Sequence, residues 1–578
     1  MANIFSSENF KSLFGSFLKS FRRFPLTLLC SLVATVCVIL IAKDEAHSKV
    51  LEKVAATFGL FLPLFFSAEI FEERKQTPRF LILGLSVLAI LAFYFLGFPE
   101  VVDIFNNKSF LIRFGVLVIV FHLLVSVSPY ILTKNLSGFW QYNKTLFINI
   151  LTAFLYTGTL TAGLLLAVGG IQNLFELKID NGWYVYIWFG LNGFFNTLIF
   201  TSKLPSLDRI DIETEFPIGL KYFTQYVLLP LVAIYLGILV AYETKITFQW
   251  TLPHGWVSIM VLASAIFGIL AFLLIYPLKE ANKWIQTYTK LYYWILLPLV
   301  TLMLVAIFVR ISQYGLTEPR FFVALLAVWL LVVSLYFSFS KVDNIKMIPL
   351  SLLLVGLFGI YAPFNAFQSS RINQEGRLDK VLNKYKLLKE GKIAVPTSVK
   401  LDSVDQDRVF AALEYLSENQ PDRLEKYLSK EQFDKLIAEK NEFNRSHLVM
   451  KLTGFPEKIK YSKETHFSDG ITELYMVEKS DYHFKPNHFR ENTEFAILNE
   501  VFKTQFIQNH LTVTINSKEK LDFDLNSLRN LDSLSPDRSL LNFEKESNDW
   551  KIRLYVESGS SSNGRITDLT WSVFLTKK

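Results

Sequence analysis

Hydrophobic positions along this chain follow two regimes: unbroken apolar runs through residues 1–368, then periodic apolar positions in charged sequence from residue 369. An apolar run of about 20 residues crosses a ~30 Å hydrocarbon core as a helix, the form that satisfies its own backbone polar groups there. Such runs occupy 24–42, 54–71, 80–98, 110–131, 145–170, 182–201, 216–242, 256–278, 291–309, 321–340 and 347–368, which predicts eleven spans. The 216–242 run is long enough to include an interfacial segment as well. Before the first run, Phe10, Leu13, Phe14, Phe17, Leu18 and Phe21 recur at helical spacing among Lys11, Lys19, Arg22 and Arg23, which predicts an interfacial amphipathic helix over 1–23. Phe21-Arg22-Arg23 ahead of the first run resembles a signal peptide, but no small-x-small site precedes Lys43, so that run reads as a retained span.

Residues 369–445 read as a helical connector. Leu378, Val381, Leu382, Tyr385 and Leu388 define one apolar face, Ser403 with Gln406 and Ser429 with Gln432 have capping-box spacing, and Pro421 suits a first helical turn. From 446 to 578 the pattern predicts a soluble α+β domain with strands at 447–453, 471–478, 510–516, 550–557 and 567–576. The last two flank a hairpin loop at Ser558–Gly564. The expected fold class is therefore an all-α polytopic membrane bundle at 24–368 followed by a smaller soluble α+β domain.

Composition agrees and adds orientation. Half the chain, 51%, is hydrophobic, with 53 Phe, and the formal net charge of +7 falls wholly within residues 1–368. Assigning the loops alternately puts sixteen Lys and Arg on the side of the N-terminus and eight on the other, which predicts a cytoplasmic N-terminus and an extracytoplasmic tail across a bacterial inner membrane. The cations lie scattered between apolar runs, against nucleic acid as a partner. Cys30 and Cys37 share one run about two turns apart, too far for a disulfide.

Ionisable and amide groups inside the runs are the candidate site residues, because a charge at mid-bilayer costs about 2.5–3.5 kcal/mol on insertion scales. His122 lies near a span centre, where a neutral imidazole in a helix interface competes with a proton relay. Glu69 and Lys221 sit at matching depth and could pair, while Arg113 can snorkel. Asn192 with Asn196, and Lys221 with Gln225, lie one turn apart and read as helix-joining groups or substrate contacts. Pro63 and Pro230 predict kinks.

Several strings together resemble a bacterial multi-pass membrane family, domain of unknown function 4153 (DUF4153). They are Phe139 to Asn143, Tyr222 to Tyr226 through Pro230 and Tyr235, Trp250 to Ser258, Arg310 to Arg320, and Pro363 followed by Gln374 to Leu378. The resemblance covers about 130–420 and implies a multi-pass membrane protein with no assigned activity; Asn373 stands where the family pattern has Ser. Arg310, Glu318 and Arg320 compress two cations and one anion into a short connection, which reads as a salt-bridged turn or as an anion or headgroup contact.

No Walker loop, nucleophile elbow, dinucleotide fingerprint or short metal motif is present, and His483 and His488 around Pro486 lack a third ligand, so no cofactor is expected and catalysis is the less favoured reading without being excluded. The expected partners are the lipid bilayer and an envelope protein recognised by the tail; the sequence does not indicate an oligomeric state. An envelope scaffold or signalling protein ranks first, a secondary transporter or channel second, and a membrane-embedded enzyme on a lipid-linked substrate third.

Overall fold

In the computed structural model, residues 7–578 are described apart from 44–47, 76–77, 99–106, 181, 250–255, 280–281, 341–342, 395–400, 440–441, 456–464, 469–481, 485–492, 498–499, 508, 517, 531–540 and 563–564. The chain divides into two compact units, Met1–Pro456 and Glu457–Lys578.

The first unit is helical. Its membrane part comprises α1 (Ser7–Arg23), α2 (Pro25–Lys43), α3 (Ser48–Lys75), α4 (Arg79–Leu96), α5 (Lys108–Val127), α6 (Leu136–Leu174), α7 (Gly182–Phe189), α8 (Asn196–Ser202), α9 (Leu207–Ile212), α10 (Ile218–Tyr222), α11 (Leu229–Gln249), α12 (Trp256–Ile275), α13 (Lys283–Tyr314), α14 (Glu318–Phe339) and α15 (Met347–Tyr361). Each of the eleven apolar runs falls on helix. Among the described residues, eight helices are long and apolar enough to cross a membrane, or nine if the pair Met347–Tyr361 and Ala366–Lys384, bent by 46°, counts as one span. The remaining runs differ for local reasons: Phe80–Leu96 is short, and Gly182–Ser202 is interrupted by a π turn at Gly190–Phe195.

A second π turn, Phe223–Leu228, explains how α10 and α11 join. Pro230 has no N–H, and its ring would meet the Tyr226 carbonyl in regular α register; the wider turn just before it absorbs the mismatch. Pro63 lies inside α3, as expected, and Pro298 lies inside α13, where the sequence reading had not singled it out.

One apolar core runs through α3, α5, α6 and α11–α15, and a second joins α2–α5 to α14 and α15. In the first core, α12 and α13 meet where the Tyr292 hydroxyl donates to the Ala265 carbonyl at 3.1 Å and the ring lies over Gly268; a Cβ there would come within 2.2 Å of the ring. Cys30 and Cys37 are free and buried.

The connector belongs to this first unit. Helices α16 (Ala366–Lys384), α17 (Ser403–Asn419), α18 (Lys430–Ala438) and α19 (Glu442–Thr453) enclose Leu378, Val381, Leu382, Leu413, Leu416 and Leu436, with a two-stranded turn β1 (Leu388–Lys389) and β2 (Lys392–Ile393). The capping box of Ser429 and Gln432 forms as read. Asp402, not Ser403, caps α17, its carboxylate accepting from the Asp405 N–H at 2.7 Å. Pro421 opens a 3-10 turn, Pro421–Lys426. The segment expected as a strand at 447–453 is instead the end of α19. Val449, Met450 and Thr453 all face inward, and seven alternating residues fit a helical face as readily as a strand once a helical core is adjacent.

The described elements of the second unit are strands and one 3-10 turn, Asn526–Asn530, so the helices of an α+β tail lie in the first unit. The strands are β3 (Thr465–Ser468), β4 (Tyr482–Phe484), β5 (Thr493–Ile497), β6 (Glu500–Ile507), β7 (His510–Ile515), β8 (Glu519–Asp524), β9 (Asn542–Glu546), β10 (Trp550–Ser562) and β11 (Arg565–Lys577). One sheet runs β3-β10-β11-β4, with β9 also on β10, and the other is the meander β5-β6-β7-β8. The β10–β11 hairpin pairs Trp550 with Lys577 through to Ser562 with Arg565, so Ser558–Ser562 continue the strand rather than forming the expected loop. Trp550 joins the sheets, edge-on to Phe502 and donating its indole N–H to Glu500 at 3.0 Å. The strand expected at 471–478, the string 250–255 and His488 lie outside the described residues.

Gly268→Val should overpack the α12–α13 contact and cost roughly 1–3 kcal/mol. A melting temperature several degrees below wild type in detergent is the expected reading.

Candidate functional site

Polar side chains gather at the two ends of the helical bundle, and the amides Asn192 and Asn196 picked out in mid-span join helices. Asn192 donates to Thr161 at 3.2 Å and Asn196 to Thr157 at 2.9 Å, fastening the π-interrupted helix to α6. On its other side Ser31 donates to Thr197 at 3.0 Å, and Gly193 leaves room for Thr35. Both amides therefore act between helices, where a lone amide in hydrocarbon would be costly.

Glu69 does not pair with Lys221. Its buried carboxylate accepts from the Leu26 N–H at 2.7 Å and the Thr27 hydroxyl at 2.5 Å, so α3 supplies an anionic cap to the first turn of α2. Lys221 is exposed and Gln225 half-buried at the π turn. His122 sits on an exposed face of α5 rather than in a helix interface. Its Nδ1 lies 2.7 Å from the Val118 carbonyl, which only accepts, so Nδ1 carries the proton.

The end nearer the N-terminus carries a network that the sequence reading missed. Arg74 meets Asp211 through two hydrogen bonds of 2.6 and 3.2 Å, its guanidinium lies 4.7 Å from the Tyr130 ring centroid, and Tyr130 donates to the same Asp211 at 2.7 Å. Arg23 binds Glu73 at 2.9 Å and the carbonyls of Leu204 and Pro205, while Glu73 also receives the Leu207 N–H at 3.0 Å. Buried Lys144 binds Glu213 at 2.6 Å, Lys279 pairs with Asp343, and Lys346 donates to the carbonyls of Tyr130 and Thr133. These bonds collect the ends of α1, α3 and α5 and the starts of α6 and α15. The available signal was acidic: Glu73, Asp211, Glu213 and Asp343 sit in the loops richest in cations.

Asp211 is partly buried, which pushes its carboxyl up, but the hydrogen bonds from Arg74 and Tyr130 outweigh burial and hold it below the usual carboxylate value.

At the opposite end, the Arg310–Arg320 connection is not closed by ion pairs among the described residues. Arg320 donates to the carbonyls of Tyr314 (3.2 Å) and Gly315 (2.7 Å), Arg310 is exposed, and buried Glu318 accepts from Tyr415 of α17 at 2.6 Å. The connection is clamped by α16 instead. Asn373 accepts the Leu316 N–H, Gln374 donates to the Leu316 carbonyl, and Arg377 donates to Ser312 and Gln313. Gly315 adopts φ +81°, and a Cβ there would lie 2.5 Å from the Gln374 amide nitrogen. Burial, and then the Glu318 carboxylate, push the Tyr415 phenol up, so it stays protonated and donates. Arg113 stacks on Phe367 of α16 and Lys108 binds Glu418 of α17, adding the start of α5 to the clamp. Asn373 thus supplies an acceptor.

Among the described residues no group of three or more His, Cys, Asp or Glu side chains could hold a metal ion.

Long apolar helices, amides spent between them and charged knots at their ends define a multi-pass helical membrane protein. The chain belongs to the family described as domain of unknown function (DUF4153), which matches residues 25–390. It is similar to an uncharacterized protein of Pasteurella multocida (strain Pm70), 25% identical over 370 residues, covering 64% of this chain and 61% of that protein. The chain thus spans less than two thirds of that relative's length. No solved structure matches.

Asp211→Asn should cost roughly 1–3 kcal/mol, because Arg74 keeps its charge without an anion. A carboxyl held low in the fold stabilises above its unfolded value, about 3.9. That contribution is lost as pH falls through the lower folded value, so wild type and variant melting temperatures in detergent should converge only in that acid range. Tyr415→Phe should lower the melting temperature more than Glu318→Gln, since Gln keeps an acceptor for Tyr415 while Phe leaves a buried carboxylate without its donor.

Proposed function

We propose that this protein is an envelope scaffold or signalling protein of a bacterial inner membrane. Its N-terminus is cytoplasmic, eleven crossings follow, and the connector and β unit lie outside the cytoplasm, where the β unit engages an envelope partner. Residues 1–23, 24–368, 369–445 and 446–578 serve as interfacial helix, membrane bundle, connector and partner-binding part. The clamp between the Arg310–Arg320 connection and α16–α17 carries this reading, because it ties the span ends rigidly to the connector.

Span number is supported by the two charged ends. Groups that touch at one membrane face are separated by an even number of crossings. Arg74 and Tyr130 bracket α4 and α5, which supports reading the short α4 as a crossing; Lys144 and Glu213 bracket α6 and α7–α8, which supports the same reading of the interrupted helix. Gln313 and Arg377, joined at the opposite face, bracket α14 and α15. The excess of Lys and Arg on the side of Arg23, Arg74 and Lys144 supports a cytoplasmic location for that face. The mid-span amides favour a scaffold over a transporter, since Asn192 and Asn196 are hydrogen-bonded to α6.

Paired enzyme reporters test the topology: fusions after Pro78 should be active only in the cytoplasm, and fusions after Asn107 and Lys578 only outside it. A cytoplasmic signal at Lys578, or the same side for Pro78 and Asn107, refutes the reading. Removing 457–578 should abolish function while leaving membrane insertion and the melting temperature of the bundle unchanged.

A further inference from the structure

We propose that the end of α13 nearest the connector is a binding site for a phosphate group, formed by the guanidinium groups of Arg310, Arg320 and Arg377. Two of the three are set side by side on consecutive main-chain carbonyls. Arg377 donates to Ser312 at 3.0 Å and to Gln313 at 2.7 Å, and Arg320 donates to Tyr314 at 3.2 Å and to Gly315 at 2.7 Å. Arg310 stands one turn earlier on the same helix, with its side chain exposed. Arg310 and Arg377 both lie close enough to Arg320 to repel it, and Arg408 of α17 adds repulsion on Arg377.

The carboxylates that would quench such a cluster are engaged elsewhere. Glu318, the acidic residue of the connection, turns away to the Tyr415 hydroxyl. Asp405 is held by Lys384 at 2.5 Å and by Arg408 at 2.9 Å. Among the described residues no carboxylate forms an ion pair with Arg310, Arg320 or Arg377. The carbonyls at a helix C-terminus amount to about half a negative charge, against three full positive ones. The excess attracts an anion, and a guanidinium presents paired N–H donors that match phosphate oxygens.

Site formation depends on the clamp. Gly315, with no side chain, lets α16 approach until Arg377 reaches the α13 carbonyls, and Tyr415 removes the competing anion. The position is also at headgroup level, because α13 and α14 are both long enough to cross the membrane and Arg310–Arg320 joins them. Exposed Tyr314, Tyr361 and Phe364 line the same end of the bundle, as interfacial aromatic residues do. The phosphate can therefore come from a lipid headgroup or from solution, and the two sources are separable.

The full-length protein in detergent is titrated with short-chain phosphatidylglycerol, with diacylglycerol of the same chain length, and with inorganic phosphate, and bound adducts are counted by native mass spectrometry. Phosphatidylglycerol should bind and diacylglycerol should not. Arg310→Gln and Arg377→Gln should each weaken phosphatidylglycerol binding about tenfold, with Arg310→Lys intermediate. Arg22→Gln, at the other end of the bundle, should bind like wild type. Competition by millimolar inorganic phosphate assigns the site to a soluble phosphate, and its absence assigns it to a lipid. Arg310→Gln is the deciding variant, because an exposed side chain can be replaced without loss of melting temperature. Undiminished binding by Arg310→Gln, or no binding of either phosphate probe to wild type, overturns the proposal. The assay reads no membrane sidedness, so its outcome is independent of the reporter mapping.

Discussion

Asp211 concentrates the main constraint on this bundle: charged groups at a membrane face must be neutralised locally, because the adjacent hydrocarbon offers them nothing. One carboxylate takes two bonds from Arg74, one from Tyr130 and one from Asn135, so the end of α3 and the α5–α6 connection both meet on the α9 segment. Apolar burial gives these helices little reason to prefer one neighbour over another inside lipid. Directional bonds at their ends do, and with Lys144–Glu213 and Arg23–Glu73 they determine which spans are adjacent.

Within the membrane the same economy applies to weaker groups. Glu69 is kept by giving it the exposed N–H groups at the start of α2, and Asn192 and Asn196 by giving them threonine hydroxyls on α6. The π turns belong to this account. One accommodates Pro230, and the other carries Gly193 against Thr35, in the same interface that the two amides close.

The far end of the bundle is organised by a helix that has left the membrane pattern. Helix α16 follows α15 after a 46° bend and returns its polar residues to the α13–α14 connection, while its apolar face enters the connector core. The connector is thus an extension of the bundle rather than a tethered module. Tyr415 and Arg377 bind main-chain and carboxylate acceptors at span ends, which couples any movement of α16 or α17 to α13 and α14.

The multi-pass helical class and the helical state of the apolar runs were legible because hydrocarbon imposes a length and a composition that no tertiary contact can alter; among the described residues eight helices, or nine with the bent pair, meet that length and composition. Helix or strand was legible in the tail wherever a segment was long, as at β10 and β11, and misread at 447–453, where seven residues were too few to separate the two periods. The candidate site was legible only in outline. Arg310, Glu318 and Arg320 stood out by density, yet the side chains that hold their connection, Tyr415 on Glu318 and Gln374 and Arg377 on its main chain, lie some 55–100 positions away in sequence. Glu69 and Lys221 were matched by depth, but depth leaves open the direction a side chain takes around its helix, and α2 supplied better donors. Tertiary structure alone decided those pairings, because hydrogen bonds are satisfied by whatever donor the packing brings within 3 Å, and packing is a property of the assembled helices.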